Sequence, residues 1–276
     1  MAITETRAIV LRLIEFSETS LVVTLLTRDF GKLTGLAKGA RRPKGPFEAA
    51  LDLLNVCHVL VLPKSGESLA LLTGAKLERR FRAGQRDLAR LYAAYYVVEL
   101  LLELTDEGDP QPELFALAEQ TLHDLDGNSD ITRCLIRFQL QALRILGHVP
   151  RLESCVGCGS ALPAEGSVSF GFLAGGLLCP RCAPGERQRV RLSSKARQSL
   201  QSAVAAGDRL DFELAVPARG ELHGLLAQYV THLIGRRPKL LAWANVWLRR
   251  EAAGSKVPHV DAEQGPQPPA TDSDQA

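Results

Sequence analysis

Leu21-Val22-Val23-Thr24-Leu25-Leu26-Thr27-Arg28-Asp29-Phe30-Gly31-Lys32-Leu33-Thr34-Gly35-Leu36-Ala37 opens as a β-rich aliphatic run. It breaks at a turn-like Arg28-Asp29-Phe30-Gly31 junction and resumes as a shorter extended segment from Lys32 to Ala37. Similar runs flank it. Ala8–Ile14 precedes it; Val56–Leu62 follows and is stopped by Pro63, and Leu69–Ala75 comes after a Lys64-Ser65-Gly66 turn. Five short strands in about 75 residues suit a small closed barrel, because closure removes exposed sheet edges. An OB-type barrel fits that count, and an SH3-like barrel has a similar number of strands.

From residue 86 onward the period becomes helical. Leu88, Leu91, Tyr92, Tyr95, Val98 and Leu102 share one helix face, ended by Gly108-Asp109-Pro110. Pro112 suits a first helical turn, and Leu114, Leu117, Leu122 and Leu125 mark a second helix. Ser129 is a candidate N-cap for a third, with Ile131, Cys134, Leu135, Phe138 and Ile145 on one side and Gly147 past its end. After a cysteine-bearing insert, Ser193 or Ser194 can cap a helix to about Ala206, Leu222 to Ile234 form an amphipathic stripe closed by Gly235, and Leu240 to Arg250 suggest a last helix. The chain is therefore expected to be multidomain: an N-terminal OB-type β-barrel over 1–82, then an α-helical domain over 83–250 carrying a four-cysteine zinc-finger insert at about 151–190. A flexible tail over 251–276, containing Gln264-Gly265-Pro266-Gln267-Pro268-Pro269, completes it.

With 276 residues, 46% of them hydrophobic and 23% charged, the chain has the balance of a globular protein of more than one core. Its formal net charge of +2 would by itself argue against a nucleic-acid partner. The distribution argues otherwise. Residues 1–90 hold 15 Lys or Arg against 9 acids, residues 91–132 hold 10 acids and neither Lys nor Arg, and residues 133–251 hold 17 basic residues against 8 acids. Two basic regions thus flank an acidic one. Met1 to Phe16 lacks the pattern of a secretory signal. Leu91–Leu104 is interrupted by Glu99 and Glu103 and is shorter than the roughly 20 residues a membrane span needs, so no membrane contact and a cytoplasmic, nucleoid-associated location are expected.

Cys155, Cys158, Cys179 and Cys182 form two C-x2-C pairs separated by 20 residues, the spacing of two knuckles that present four thiolates to one tetrahedral Zn²⁺. Gly157 and Gly159 supply backbone freedom around the first pair. The competing reading is four reduced structural thiols. Four cysteines leave no open position for a catalytic water, and neither H-x-E nor H-E-x-x-H occurs, so the expected metal is one structural Zn²⁺ per chain. Cys57 and Cys134 read as core thiols, and His148 is only a reserve ligand, outside the set.

From Arg28 to Pro46 there are six basic residues and one acid, and a second cluster comprises Lys76, Arg79, Arg80, Arg82, Arg86 and Arg90. Such clusters on a barrel rim can track phosphates. Phe16, Phe30, Phe47 and Phe81 are the nearby aromatics that could stack bases, although core burial is the favoured reading for Phe16 and Phe47. Arg133, Arg137 and Arg144 share one side of the third helix, either as an ordinary polar face, the favoured reading, or as a receptor for an acidic peptide. Nucleotide-loop, nucleophile-elbow and dinucleotide motifs are absent, which lowers the prior for an enzyme.

Gly35-Leu36-Ala37-Lys38-Gly39-Ala40-Arg41-Arg42-Pro43-Lys44, following an early strand pair, together with the helical region interrupted by Cys155-Val156-Gly157-Cys158 and Cys179-Pro180-Arg181-Cys182, resembles the bacterial RecO family over about residues 1–250. The resemblance implies a non-enzymatic recombination mediator in DNA repair. Such a protein has an N-terminal OB domain, binds single- and double-stranded DNA, and anneals complementary strands. With RecR, and often RecF, it loads RecA on DNA coated by single-strand-binding protein, whose acidic C-terminal tail it also binds. On this resemblance DNA contact falls to Lys38, Arg41, Arg42 and Lys44, with Lys32, Arg79 and Arg80 added from the basic clusters. Zinc ligation falls to the four paired cysteines, and Arg133 and Arg137 are candidates for the partner tail. The competing class is a zinc-containing OB-fold RNA- or ribosome-associated binding protein; a metal-dependent nuclease or deaminase is disfavoured by the closed cysteine set.

Overall fold

A computed structural model describes residues 3–47, 49–62, 69–163 and 166–241. The aliphatic runs form the strands β1 (Thr4–Glu15), β2 (Leu21–Thr27), β3 (Gly31–Ala37), β4 (Val56–Leu62) and β5 (Ala70–Arg79). They close in the order β1-β2-β3-β5-β4, with β1 pairing antiparallel to both β2 and β4, and β3 parallel to β5. This is the OB-type arrangement. Val23, Leu25, Ala37, Cys57, Val59, Val61 and Leu72 fill the interior, and Phe47 from the β3–β4 loop joins them.

The helical period is realised as α1 (Leu88–Leu104), α2 (Pro112–Asp126) and α3 (Ile131–Ile145), which pack on one another. Asp130, not Ser129, caps α3: its carboxylate accepts the Arg133 N–H at 2.9 Å. An acidic side chain one residue closer to the helix satisfies the first-turn donors equally well. A three-stranded sheet in the order β7-β6-β8 follows, from β6 (Val168–Gly171), β7 (Gly176–Leu178) and β8 (Arg189–Leu192), and then α4 (Ser194–Ala206) and α5 (Arg219–Ile234). Ser193 caps α4, accepting the Ala196 N–H at 3.1 Å. The last expected helix from Leu240 lies beyond residue 241 for nearly all its length, and with the expected tail it falls outside the described residues.

The second core begins on the outside of the barrel. Ile9, Leu11, Leu26, Leu54 and Val56 are buried with Tyr96, Leu100 and Leu101 of α1, and the same cluster continues through α3 and α5 to Phe170 and Tyr229, whose rings meet edge-on at 5.3 Å. Barrel, helical body and cysteine-bearing sheet therefore share packing. Gly31 lies where the barrel meets the segment between α1 and α2 at close range. It sits at φ +68°, and a Cβ there would lie 2.1 Å from the Asp109 carbonyl oxygen, so only glycine fits.

Much of the segregated charge is spent inside the fold. The Lys32 ammonium donates to the Leu102 carbonyl at 2.9 Å and to that of Thr105, at the C-terminus of α1. Arg86 donates to the carbonyls of Asp126 and Gly127, and Arg90 to those of Leu125 and Ser129, closing the C-terminus of α2. Cations are favoured there because the last helical carbonyls are unpaired and carry the negative end of the helix dipole. The acidic block supplies the counter-charges. Glu119 pairs with Arg7 at 2.5 Å, Asp124 with Arg137 at 2.8 Å, Asp130 with Arg219 at 2.9 Å, and Glu103 with Arg236.

Candidate nucleic-acid interface and metal centre

Lys38, Arg41, Arg42 and Lys44 are all exposed on the loop that leaves β3. The loop is fastened at both ends. Gly39 N–H donates to the Ser20 hydroxyl at 3.4 Å and Arg41 N–H to the Thr19 carbonyl at 3.0 Å, tying it to the β1–β2 turn. At its far end the Pro46 carbonyl accepts the Ala75 N–H at 2.9 Å and Phe47 anchors in the barrel interior. Lys44 holds a left-handed backbone, φ 57°, between Pro43 and Gly45. Four cations are thereby presented on a loop that is already ordered. Arg41 reaches Glu15 at 2.9 Å, with the two side chains 46% and 74% exposed. A pair that open to water contributes little, so a phosphate can replace the carboxylate.

Other expected site residues are engaged elsewhere. Lys32 is committed to the α1 carbonyls. Arg79 is half-buried and donates to the Glu119 carbonyl at 3.1 Å, whereas Arg80 is exposed. Arg133 donates to the carbonyls of Leu210, at 3.1 Å, and Phe212, with its guanidinium 5.1 Å from the Phe212 ring centre. Arg137 is 4% exposed and paired to Asp124. Helical spacing placed these arginines on one side, but the segments packed there take up their donors. Of the three, Arg144 alone is exposed, at the rim of a cavity of about 550 Å³ whose lining includes Leu117, Ile145, Arg137 and Asp208. Among the aromatics, Phe47 is buried as expected, but Phe16 is 63% exposed at the end of β1. Its apolar character suggested core; its place in a turn, one residue past the paired strand, puts it outside.

A third basic group went unread, although Arg187, Arg189 and Arg191 recur at the two-residue spacing of one strand face. Arg187, Arg189 and Arg191 are exposed at alternate positions leading into and along β8, an edge strand of the small sheet. Arg189 donates to the Glu186 carbonyl and Arg191 to the Ser167 hydroxyl, so both are oriented without being neutralised by a carboxylate.

The four paired cysteines converge, with all their Sγ atoms within 4.8 Å of one another. The Cys158 and Cys179 sulfurs lie 3.8 Å apart, and a tetrahedron of Zn–S bonds of about 2.3 Å has edges of about 3.8 Å. The donor set therefore fits Zn²⁺. The Cys179 N–H points at the Cys155 Sγ at 3.3 Å, a bond that favours thiolate there. The Cys158 thiol is drawn down to about 6, first by its hydrogen bonding with the Ser160 side chain and backbone, while Cys182 is pushed up, first by its contact with Cys158. Gly157 permits the approach of the two knuckles, since a Cβ there would lie 3.2 Å from the Cys182 sulfur. Cys57 and Cys134 are core thiols, and burial pushes both up to about 12.

Comparison with known proteins covers nearly the whole described chain. The family model for the recombination protein O N terminal matches residues 1–81, and that for the recombination protein O C terminal matches residues 85–242. The DNA repair protein RecO of Rhodopirellula baltica is 38% identical over 258 residues, covering 84% of this chain and 96% of that one. Its counterpart in Myxococcus xanthus is 37% identical over 232 residues, covering 84% and 93%. That of Symbiobacterium thermophilum is 35% identical over 248 residues, covering 87% and 95%.

Proposed function

This chain belongs to the RecO family of DNA repair proteins, and from that premise we propose that it is a non-enzymatic recombination mediator: it anneals complementary single strands and, with RecR and, as often in the family, RecF, helps load RecA on DNA coated by single-strand-binding protein. The observation that carries the DNA-binding part is the ordered loop with Lys38, Arg41, Arg42 and Lys44 exposed together. Annealing requires only that two phosphate chains be screened from each other, with no covalent step. The loop offers one neutralising surface, and the arginines at 187, 189 and 191, with Arg80, offer others. Lys32, Arg79, Arg133 and Arg137 act in holding the fold.

One Zn²⁺ held by Cys155, Cys158, Cys179 and Cys182 would staple the β6–β8 sheet, and so the arginines of β8, onto the helical body. The metal supplies structure there and no open coordination position. For the acidic C-terminal tail of single-strand-binding protein, the cavity rimmed by Arg144 combines an accessible cation with the apolar Leu117 and Ile145. No helix among the described residues is long and apolar enough to cross a membrane.

Arg41→Glu with Arg42→Glu tests the loop. Affinity for a single-stranded oligonucleotide in a fluorescence titration should fall, and the slope of log affinity against log salt should flatten by about 0.7 for each phosphate no longer neutralised. Unchanged affinity at low salt, with native circular dichroism, would remove the loop from the interface. Equal affinity for matched RNA, together with failure to anneal DNA strands, would favour an RNA-binding role instead. Arg144→Ala should weaken binding of an acidic tail peptide without altering DNA affinity, and an undiminished peptide affinity would exclude the cavity.

A further inference from the structure

The outer face of the barrel beside the basic loop carries an apolar strip that no other part of the described chain explains. Side chains alternate across a strand, and the interior positions are known from the buried residues Val23, Leu25, Ala37 and Leu72. The neighbours of these residues, Val22, Leu36 and Leu71, therefore point outward. Register places Ile14 opposite Val22, Val22 opposite Leu36, and Leu36 opposite Leu71, a single row across four strands. Ile14 is 44% exposed, and Phe16 continues its side of the chain into the β1–β2 turn.

The basic loop is fastened to that same turn. Phe16 N–H donates to the Ser20 carbonyl at 3.0 Å, closing the turn, while Thr19 and Ser20 accept from Arg41 and Gly39. Phe16, Ile14 and Val22 thus sit beside the cations Arg12, Lys38, Arg41 and Arg42. Two acids share the turn, Glu15, which is paired to Arg41, and Glu18. A stacking ring on an apolar strip bordered by cations matches a strand that shows both phosphates and unpaired base faces. A duplex offers phosphates but keeps its base faces stacked internally.

Resting on the proposed DNA-binding role, we infer that Phe16, with the row of Ile14, Val22 and Leu36 next to it, is a base-stacking platform that makes the basic loop prefer single-stranded over double-stranded DNA. The loop cations hold the backbone and the ring holds a base. The platform gives the site a discrimination that the cations alone lack, because phosphates are common to both forms.

Phe16→Ala and Phe16→Trp in the full chain test this, with a labelled oligo-dT strand and a duplex of equal length as probes. Phe16→Ala should lower affinity for the single strand by roughly 5- to 150-fold, the range found when a base-stacking aromatic is removed, and should leave duplex affinity within about 2-fold. The salt slope should not change, since the cations that meet the phosphates are all retained. Phe16→Trp should restore the affinity, and its emission should be quenched when the strand binds. Equal loss for both probes, or no loss for the single strand, overturns the inference. A shift from dimer to monomer in gel filtration without change in DNA affinity also overturns it, by making the strip a contact between copies. If Arg41→Glu with Arg42→Glu weakens binding while Phe16→Ala is silent, only the stacking inference fails. If both are silent, the loop itself is not the interface.

Discussion

Replacing Arg137 by alanine should destabilise the helical body. The guanidinium is 4% exposed and bridges α3 to α2, reaching the Asp124 carboxylate at 2.8 Å and donating to the Thr121 hydroxyl at 3.1 Å. The Asp124 side chain is itself only 13% exposed. The contact is an ion pair without full hydrogen bonding, since Asp124 Oδ2 and Arg137 Nε lack well-aligned partners. Truncating the arginine leaves a largely buried carboxylate without its counter-charge, keeping the hydrogen bond that Gln120 Nε2 donates to Asp124 Oδ1 at 2.9 Å, and losing one partner of such a pair costs about 3–5 kcal/mol. That is a large part of a typical folding stability of about 5–15 kcal/mol, and for a chain of this size it corresponds to a fall of roughly 6–20 °C in Tm. Arg137→Met together with Asp124→Leu removes both charges and keeps the volume, and it should recover stability to within about 1 kcal/mol of the parent. Urea unfolding followed by circular dichroism measures both variants. A loss below about 1 kcal/mol for Arg137→Ala, or a double variant no better than the single one, would refute the assignment of Arg137 to structure. A drop in partner-tail binding on Arg137→Ala is accordingly interpretable only beside the double variant.

Glu15→Gln frees Arg41 from its carboxylate and should raise single-strand affinity by about 1.5- to 5-fold at low salt, the equivalent of a weak surface ion pair, as read by fluorescence titration. Removal of metal by a chelator should release one Zn²⁺ per chain, measured by elemental analysis, and lower Tm. Zinc affinity should also fall as pH is reduced, because the metal needs all four thiols deprotonated. The Glu78 carboxyl is held below the usual range, first by its hydrogen bonds from Arg7. Its stabilising contribution is complete above the ordinary carboxylate pKa of about 4.3 and is lost as pH falls through the lower folded value. Denaturation at about pH 6 and about pH 3 should therefore show a smaller loss for Glu78→Gln than for the parent.

Strand and helix positions were legible because they rest on local periodicity. β2 and β4 begin and end at the expected residues, and Ser193 caps α4 as its hydroxyl and position suggest. The two halves of the four-cysteine cluster were legible because a C-x2-C pair brings its own two sulfurs together through a local knuckle. The fate of individual basic residues was not. Lys32 and Arg41 occur in the same basic run, yet one caps α1, 70 residues further along the chain, and the other faces solvent. Phe16 and Phe47 have the same side chain and opposite fates, decided by whether the backbone at each points into the barrel.

The amino-acid sequence alone determined a small five-stranded barrel, a helical body, two cysteine knuckles and a basic loop, since each depends on residues close together in the chain; the order β1-β2-β3-β5-β4, with β3 parallel to β5, is what makes the barrel OB-type, and only the folded chain shows it. The sequence also held the separation of charge into basic, acidic and basic blocks, but not its meaning. Tertiary structure decided that much of this separation is internal complementarity: the acidic helices take up Arg7, Arg137, Arg219 and Arg236, and helix ends take up Lys32, Arg86 and Arg90. The loop cations Lys38, Arg41, Arg42 and Lys44 stay exposed because, among the described residues, no acidic helix packs over them. A charge's partner is set by distance in space, which only the packed chain defines.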